Sequence, residues 1–223
     1  MTDRNFETRR RAFLEFAAAS PSGIPAFMGF FNQIARLELG LPLDEATIHE
    51  ALSHIDARRD GSDFAIAGLL RLLYRYDDIL RARHPALVAG IERCLLGFKY
   101  WWDESGSDTM CWFTENHQIL FHAAELLAGQ RWPERRFANS GLTGREHHAK
   151  GLALCRRWLD WRERCGYSEW LSHRYFDEDF MALVNLCDLA ADAELRARAR
   201  RQIDLLLSVQ ARHSFRGVFG CSH

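Results

Sequence analysis

Apolar residues recur every three to four positions through nearly all of the chain, and β-branched runs alternating with polar residues are absent. That periodicity predicts an all-α fold, with no sheet of three or more strands within residues 1 to 200. A first helix is expected from about Phe6 to Ala19, where Ser20-Pro21-Ser22-Gly23 interrupts the pattern. A second apolar stretch runs from Ile24 to Leu39 and stops at Gly40-Leu41-Pro42. Asp44 is placed to cap a helix to about Arg58, and Asp60-Gly61-Ser62-Asp63 breaks the chain before an apolar helix from Phe64 to about Arg83. Pro85 suits the first turn of a helix reaching Tyr100.

After a loop rich in Asp, Ser and Gly, Thr114 is expected to cap a helix to Leu127, and Gly129 to Gly141 reads as a long connection. Thr143 and Glu146 have capping-box spacing and open a helix to Arg164. The final pair is expected from Asp177 to Ala191 and from Ala193 to His213. Helices joined by short breaks favour consecutive antiparallel pairs, as in bundles, solenoids and α/α toroids. No strict repeat period is visible, which argues against a regular solenoid. The stretch from Phe215 to His223 looks like the start of a loop, so the expectation is one helical domain over 1–223 that is part of a longer chain, an incomplete barrel.

With 223 residues and 48% hydrophobic composition, the chain can bury a sizeable core. Lys plus Arg (29) nearly equals Asp plus Glu (30), so no net field draws in nucleic acid or an anionic membrane. Any anionic ligand must be held by local positive charge. Arg4, Glu7, Arg9, Arg10, Arg11 and Glu15 leave no apolar run of signal-peptide type, and no later stretch of eighteen apolar residues exists, so a cytoplasmic location is expected. The six cysteines form no CxxC pair, and four of them fall in apolar helical stretches and read as small buried hydrophobes.

All seven tryptophans fall between Trp101 and Trp170, less than a third of the chain. Tyr100-Trp101-Trp102 and Trp112-Phe113 flank a polar loop, and flat rings beside polar groups are what a sugar-binding cleft uses for stacking. Trp158 and Trp161 read as core residues, whereas Trp102, Trp112 and Trp170 are candidates for contact with substrate.

Two segments concentrate the remaining chemistry. Trp112 to His122 places Glu115, Asn116, His117, Gln118 and His122 at the start of a helix, where the dipole favours an anion. The plain reading makes Thr114 a cap, leaves Asn116 and Gln118 solvated and buries His122 in the core. Gly166 to Asp179 packs Tyr167, Trp170, His173, Arg174 and Tyr175 together with four carboxylates. An acidic helix start explains Asp177, Glu178 and Asp179 but not the rings and cations. For a metal, Glu115, His117, His122, His147, His148 and His173 could supply ligands, yet no HExxH or comparable template appears, and no metal or other cofactor is expected.

Thr114-Glu115-Asn116-His117 and Tyr167-Ser168-Glu169-Trp170-Leu171-Ser172, followed by Tyr175, resemble a family of long, largely uncharacterised bacterial proteins. These in turn resemble, more distantly, the α/α-toroid polysaccharide lyases of the alginate lyase and heparinase II/III-like group. The closer resemblance covers roughly Tyr100 to His223. It implies β-elimination from a uronic acid in an acidic oligo- or polysaccharide, with Asn116 and Arg174 binding the carboxylate. His117 or Tyr175 would take the C5 proton, and Tyr175 would protonate the leaving oxygen, with Tyr167 a rival for that role. Glu115, Glu169, Trp170 and His173 would contact substrate. A glycoside hydrolase would instead rest on Glu115 and Glu169, and a helical scaffold or sugar-binding module on neither set.

Overall fold

The computed structural model describes residues 4–20 and 30–222. Among them are nine helices: α1 (Arg4–Ala19), α2 (Phe31–Glu38), α3 (Glu45–Asp56), α4 (Ser62–Arg83), α5 (Pro85–Gly97), α6 (Glu115–Arg131), α7 (Gly144–Cys165), α8 (Tyr175–Leu189) and α9 (Ala193–Arg212). The fold class is therefore all-α. The segment read from sequence as a loop instead forms an antiparallel hairpin, β1 (Ser214–Phe215) with β2 (Val218–Phe219). The second predicted helix is found from Phe31 onward; its first positions, 24–29, lie outside the described residues. No helix among the described residues is long and apolar enough to cross a membrane.

The α6 helix is the hub. It packs on α4, α7 and α8, while α8 pairs with α9, α4 with α5, and α1 with α2. A helix surrounded in this way needs an apolar surface all round, and Ile119, Leu120, Phe121, Leu126 and Leu127 are all buried. Glu115, Asn116, His117, His122 and Glu125 are buried on it as well, so its polar groups must find partners inside the protein.

Glycines set the distance between α6 and α7. A Cβ on Gly129 would lie 2.4 Å from the His148 backbone nitrogen, and one on Gly151 would lie 2.5 Å from that of Leu126. Gly129 is thus a packing residue inside α6, and the connection expected to begin there starts only after Arg131. At the far end of α6, the Gln130 amide donates to the Tyr74 hydroxyl (3.0 Å) and the Leu189 carbonyl (2.9 Å) and accepts from the Ala191 N–H (2.7 Å), tying α4, α6 and α8 together.

Local capping signals have mixed fates. The Thr143–Glu146 capping box forms as its spacing predicts. Thr114 and Asp44 occupy N-cap positions without side-chain cap bonds; the Asp44 carboxylate accepts from Thr47 Oγ1 at 2.8 Å instead. The helix expected to reach Tyr100 ends at Gly97, where Phe98 turns extended (φ −74, ψ 150). Of the six cysteines, Cys94 and Cys155 are buried, Cys111 and Cys187 are half-buried, and Cys165 and Cys221 are exposed, so burial describes fewer of them than expected.

Candidate functional site

The 98–114 segment connects α5 to α6. With α7 it walls a cleft of about 410 Å³ lined by Trp101, Trp102, Trp112, Trp158 and Trp161. Phe113, Gln118, His122, Leu154, Arg157 and Arg162 complete the lining. Trp112 and Trp158 are buried and form the base, whereas Trp102 (59% exposed), Trp161 (54%) and Phe113 (81%) stand open to solvent. Trp158 is thus the core residue expected of it. Trp161 is not, because position 161 on α7 faces the cleft rather than the interior.

The cleft also carries charge. Arg162 stacks on Trp158 (5.3 Å) and pairs with the Glu115 carboxylate. Arg157 is exposed and, among the described residues, makes no hydrogen bond or ion pair. His122 packs edge-on against Trp101 at 4.4 Å, and its Nδ1 has no partner. Burial, helped by the positive charges of Lys150 and Arg157, pushes its imidazole down to about 3, so it is neutral at physiological pH.

A different face of α6 carries Asn116 and His117, since neighbouring helical positions point about 100° apart. His117 Nδ1 meets the buried Asp63 carboxylate at 2.6 Å, and its ring lies 5.2 Å from Phe64. Burial alone would lower this imidazole, but the bond to Asp63 and its charge prevail and push it up to about 9. His117 therefore already holds its proton near neutrality and is unsuited to act as a base, contrary to the role that the resemblance implies. Burial meanwhile raises the Asp63 carboxyl; we assign the shared proton to the imidazole, where the ion pair offsets part of the desolvation of both groups.

Beside this pair, the Asn116 amide donates to the Glu178 carboxylate, and Arg174 Nε approaches the same group at 4.0 Å. Two of the residues assigned to a substrate carboxylate thus converge on a carboxylate of the chain itself. Asn116 is buried rather than solvated, and so are Glu178 and Asp179 of the expected acidic helix start. Neither oxygen of Asp179 has a hydrogen-bond partner, and burial raises its carboxyl well above the ordinary range. Tyr175 opens α8 half-buried, its N–H donating to Ser172 Oγ at 3.0 Å.

Other expected site residues have structural roles. Beyond its pairing with Arg162, the Glu115 carboxylate accepts the backbone N–H groups of Ser168 (2.8 Å) and Glu169 (3.1 Å), which anchors the 166–174 segment. A carboxylate held in this way cannot serve as the acid of a hydrolase. Tyr167 is buried and donates to Gln202 at 3.1 Å, and burial raises its phenol far above the ordinary value, which removes it as a rival to Tyr175. Trp170 packs edge-on against Phe176 (6.1 Å) and is absent from the cleft lining, and His173 is exposed.

One further constellation escapes sequence reading. Donor atoms of Glu104, Glu125 and His147 lie within 4.8 Å of one another. Of the three, only His147 stands out in the sequence as a ligand candidate; Glu104 sits in the loop and Glu125 in mid-helix, at spacings that match no template.

No protein-family model, curated protein or solved structure matches the chain.

Proposed function

We propose that the protein binds an acidic saccharide in the tryptophan-lined cleft. The observation that carries this reading is the meeting of open indole faces, Trp102 and Trp161, with an unpaired guanidinium, Arg157, in one concave site. Indole faces stack against the apolar face of a sugar ring and exclude water from it. Arg157 supplies a forked donor for a carboxylate or sulfate. The neutral His122 is buried behind Trp101 and adds no charge of its own to the cleft.

Intrinsic tryptophan fluorescence tests the reading directly. Titration with oligosaccharides of alginate, pectate, hyaluronan and heparin is expected to give saturable quenching that neutral glucans do not. Arg157→Ala should weaken it by about tenfold or more, the cost of a lost charge-assisted bond. No saturable change with any acidic glycan at millimolar concentration would refute it.

Elimination chemistry is a second reading, supported by the convergence of Asn116 and Arg174 on one carboxylate. It relies on an α/α-toroid arrangement and on a substrate carboxylate displacing Glu178. With His117 already protonated, both proton transfers would fall to Tyr175. Its product carries a conjugated double bond, so an ultraviolet absorbance rise that disappears in Tyr175→Phe supports it, and binding without that rise refutes it.

A further inference from the structure

We propose that Glu104, Glu125 and His147 form a binding site for a divalent transition-metal cation, of which zinc is the representative. Glu104 comes from the loop that carries Trp101 and Trp102, Glu125 from the middle of α6, and His147 from the first turn of α7. Their donor atoms lie within 4.8 Å of one another, and Glu125 and His147 are fully buried. Two carboxylates and an imidazole form an oxygen and nitrogen set that suits zinc and its first-row neighbours. Zinc holds such donors at about 2.0–2.2 Å, so modest side-chain adjustment closes the triangle around it.

Three observations beyond the clustering point to a cation. First, Oε2 of Glu125 is buried without a hydrogen-bond partner, an acceptor that the protein leaves unsatisfied. Second, carboxylates outnumber the fixed cations around the site. Asp103, Glu104 and Glu125 face a single ammonium, Lys150, which contacts Asp103 at 2.7 Å and Glu125 at 3.4 Å. Third, the surroundings suit a ligand imidazole. His147 Nε2 lies 2.7 Å from Ser140 Oγ, and with Nε2–H donating there, the Nδ1 lone pair is turned toward Glu125 Oε1 at 2.8 Å. In that tautomer Nδ1 is available to ligate a metal ion held beside Glu125, with Ser140 fixing the ring from the other nitrogen. Asn139 donates to Glu104 at 2.8 Å and holds the third ligand in place. The competing arrangement has Ser140 donate to Nε2 and Nδ1–H donate to Glu125, a plain hydrogen bond without metal.

A cation here would bridge the loop to α6 and α7 and so fix one wall of the aromatic cleft. The full chain, purified under reducing conditions and stripped with a chelator, is titrated with zinc alone. Elemental analysis is expected to return about one zinc per chain and the melting temperature to rise, with magnesium and calcium inert. Cobalt(II) in place of zinc should give visible absorption bands of a four-coordinate site. Glu104→Gln, whose side chain is only half-buried, should weaken zinc at least about 100-fold, as should His147→Gln if it folds. Wild-type protein that takes up no zinc and shows no thermal shift would overturn the proposal. So would a Glu104→Gln variant that binds zinc as tightly as the parent, because the metal would then sit elsewhere, at the exposed cysteines for example.

Discussion

His117 and His122 sit on one helix, and the protein drives their protonation in opposite directions, up to about 9 and down to about 3. His117 belongs to a closed cluster in which buried side chains pair with one another, His117 with Asp63 and Asn116 with Glu178, although Asp63 Oδ1 and Asn116 Oδ1 are left without hydrogen-bond partners. His122 belongs to an open cleft in which Arg157, Trp102 and Trp161 have surface to spare. Phe121 lies between the two regions, its ring 4.2 Å from Trp112 and 6.5 Å from His117. Titratable groups crowded together are not by themselves a reactive site. The closed cluster is buried and pairs α4 with α6 and α6 with α8, whereas the groups open to a ligand from solvent, Arg157, Trp102 and Trp161, lie in the cleft.

The largest effect should come from breaking the closed cluster. Asp63→Ala leaves His117 buried without its counter-charge, which should cost about 3–5 kcal/mol in urea unfolding. A loss below about 1 kcal/mol would mean that the pair is solvated and the contrast false.

Next is pH. The folded His117 value lies above its ordinary 6.5, so its contribution is fully present below about 6.5 and lost as pH rises through about 9. The folded His122 value lies below 6.5, so its contribution is present above about 6.5 and lost as pH falls toward 3. Each limb is worth about 3–5 kcal/mol from the size of the shifts. Stability should therefore peak near pH 6.5. His117→Gln should flatten the alkaline limb alone, and His122→Asn the acid limb alone; denaturation midpoints from pH 4 to 9.5 decide the matter.

Gly151→Ala should cost about 1–3 kcal/mol through overpacking against Leu126, read as a lower melting temperature, without altering the pH profile. The smallest effect on stability should come from the cleft itself. Trp102→Ala and Trp161→Ala should change unfolding free energy by no more than about 0.5 kcal/mol, as exposed residues do, while saccharide-induced quenching falls at least tenfold. A large loss of stability with ligand response intact would reverse the roles of the two regions.

How much of this was legible in the sequence depended on range. The Thr143–Glu146 box formed because both partners lie within one turn. Helix periodicity located most elements because burial acts residue by residue, and it erred where tertiary contact overrode local preference, as at Gly129, which reads as a breaker but packs α6 onto α7. The clustering of tryptophans marked the cleft, yet Trp158 and Trp161 could not be told apart without the direction of α7. The partner of His117 lies 54 positions away and that of Asn116 lies 62 away, so no local pattern could show that one would hold its proton and the other would bind the chain's own Glu178. The Glu104–Glu125–His147 group has the same character: three elements meet at spacings that no motif records.

The glycine contacts between α6 and α7 also bear on the order in which the molecule assembles. These helices are adjacent in the chain, joined by residues 132–143, and share the most extensive contact of any helix pair among the described residues. Closing so short a connection costs little chain entropy compared with bringing α4 against α8 across residues 84–174. The pair is therefore suited to be the nucleus on which the other helices condense, and Gly151→Ala should act mainly by slowing folding rather than by hastening unfolding. The helix pair that forms the base of the cleft would then be in place before the rest of the chain has chosen its partners.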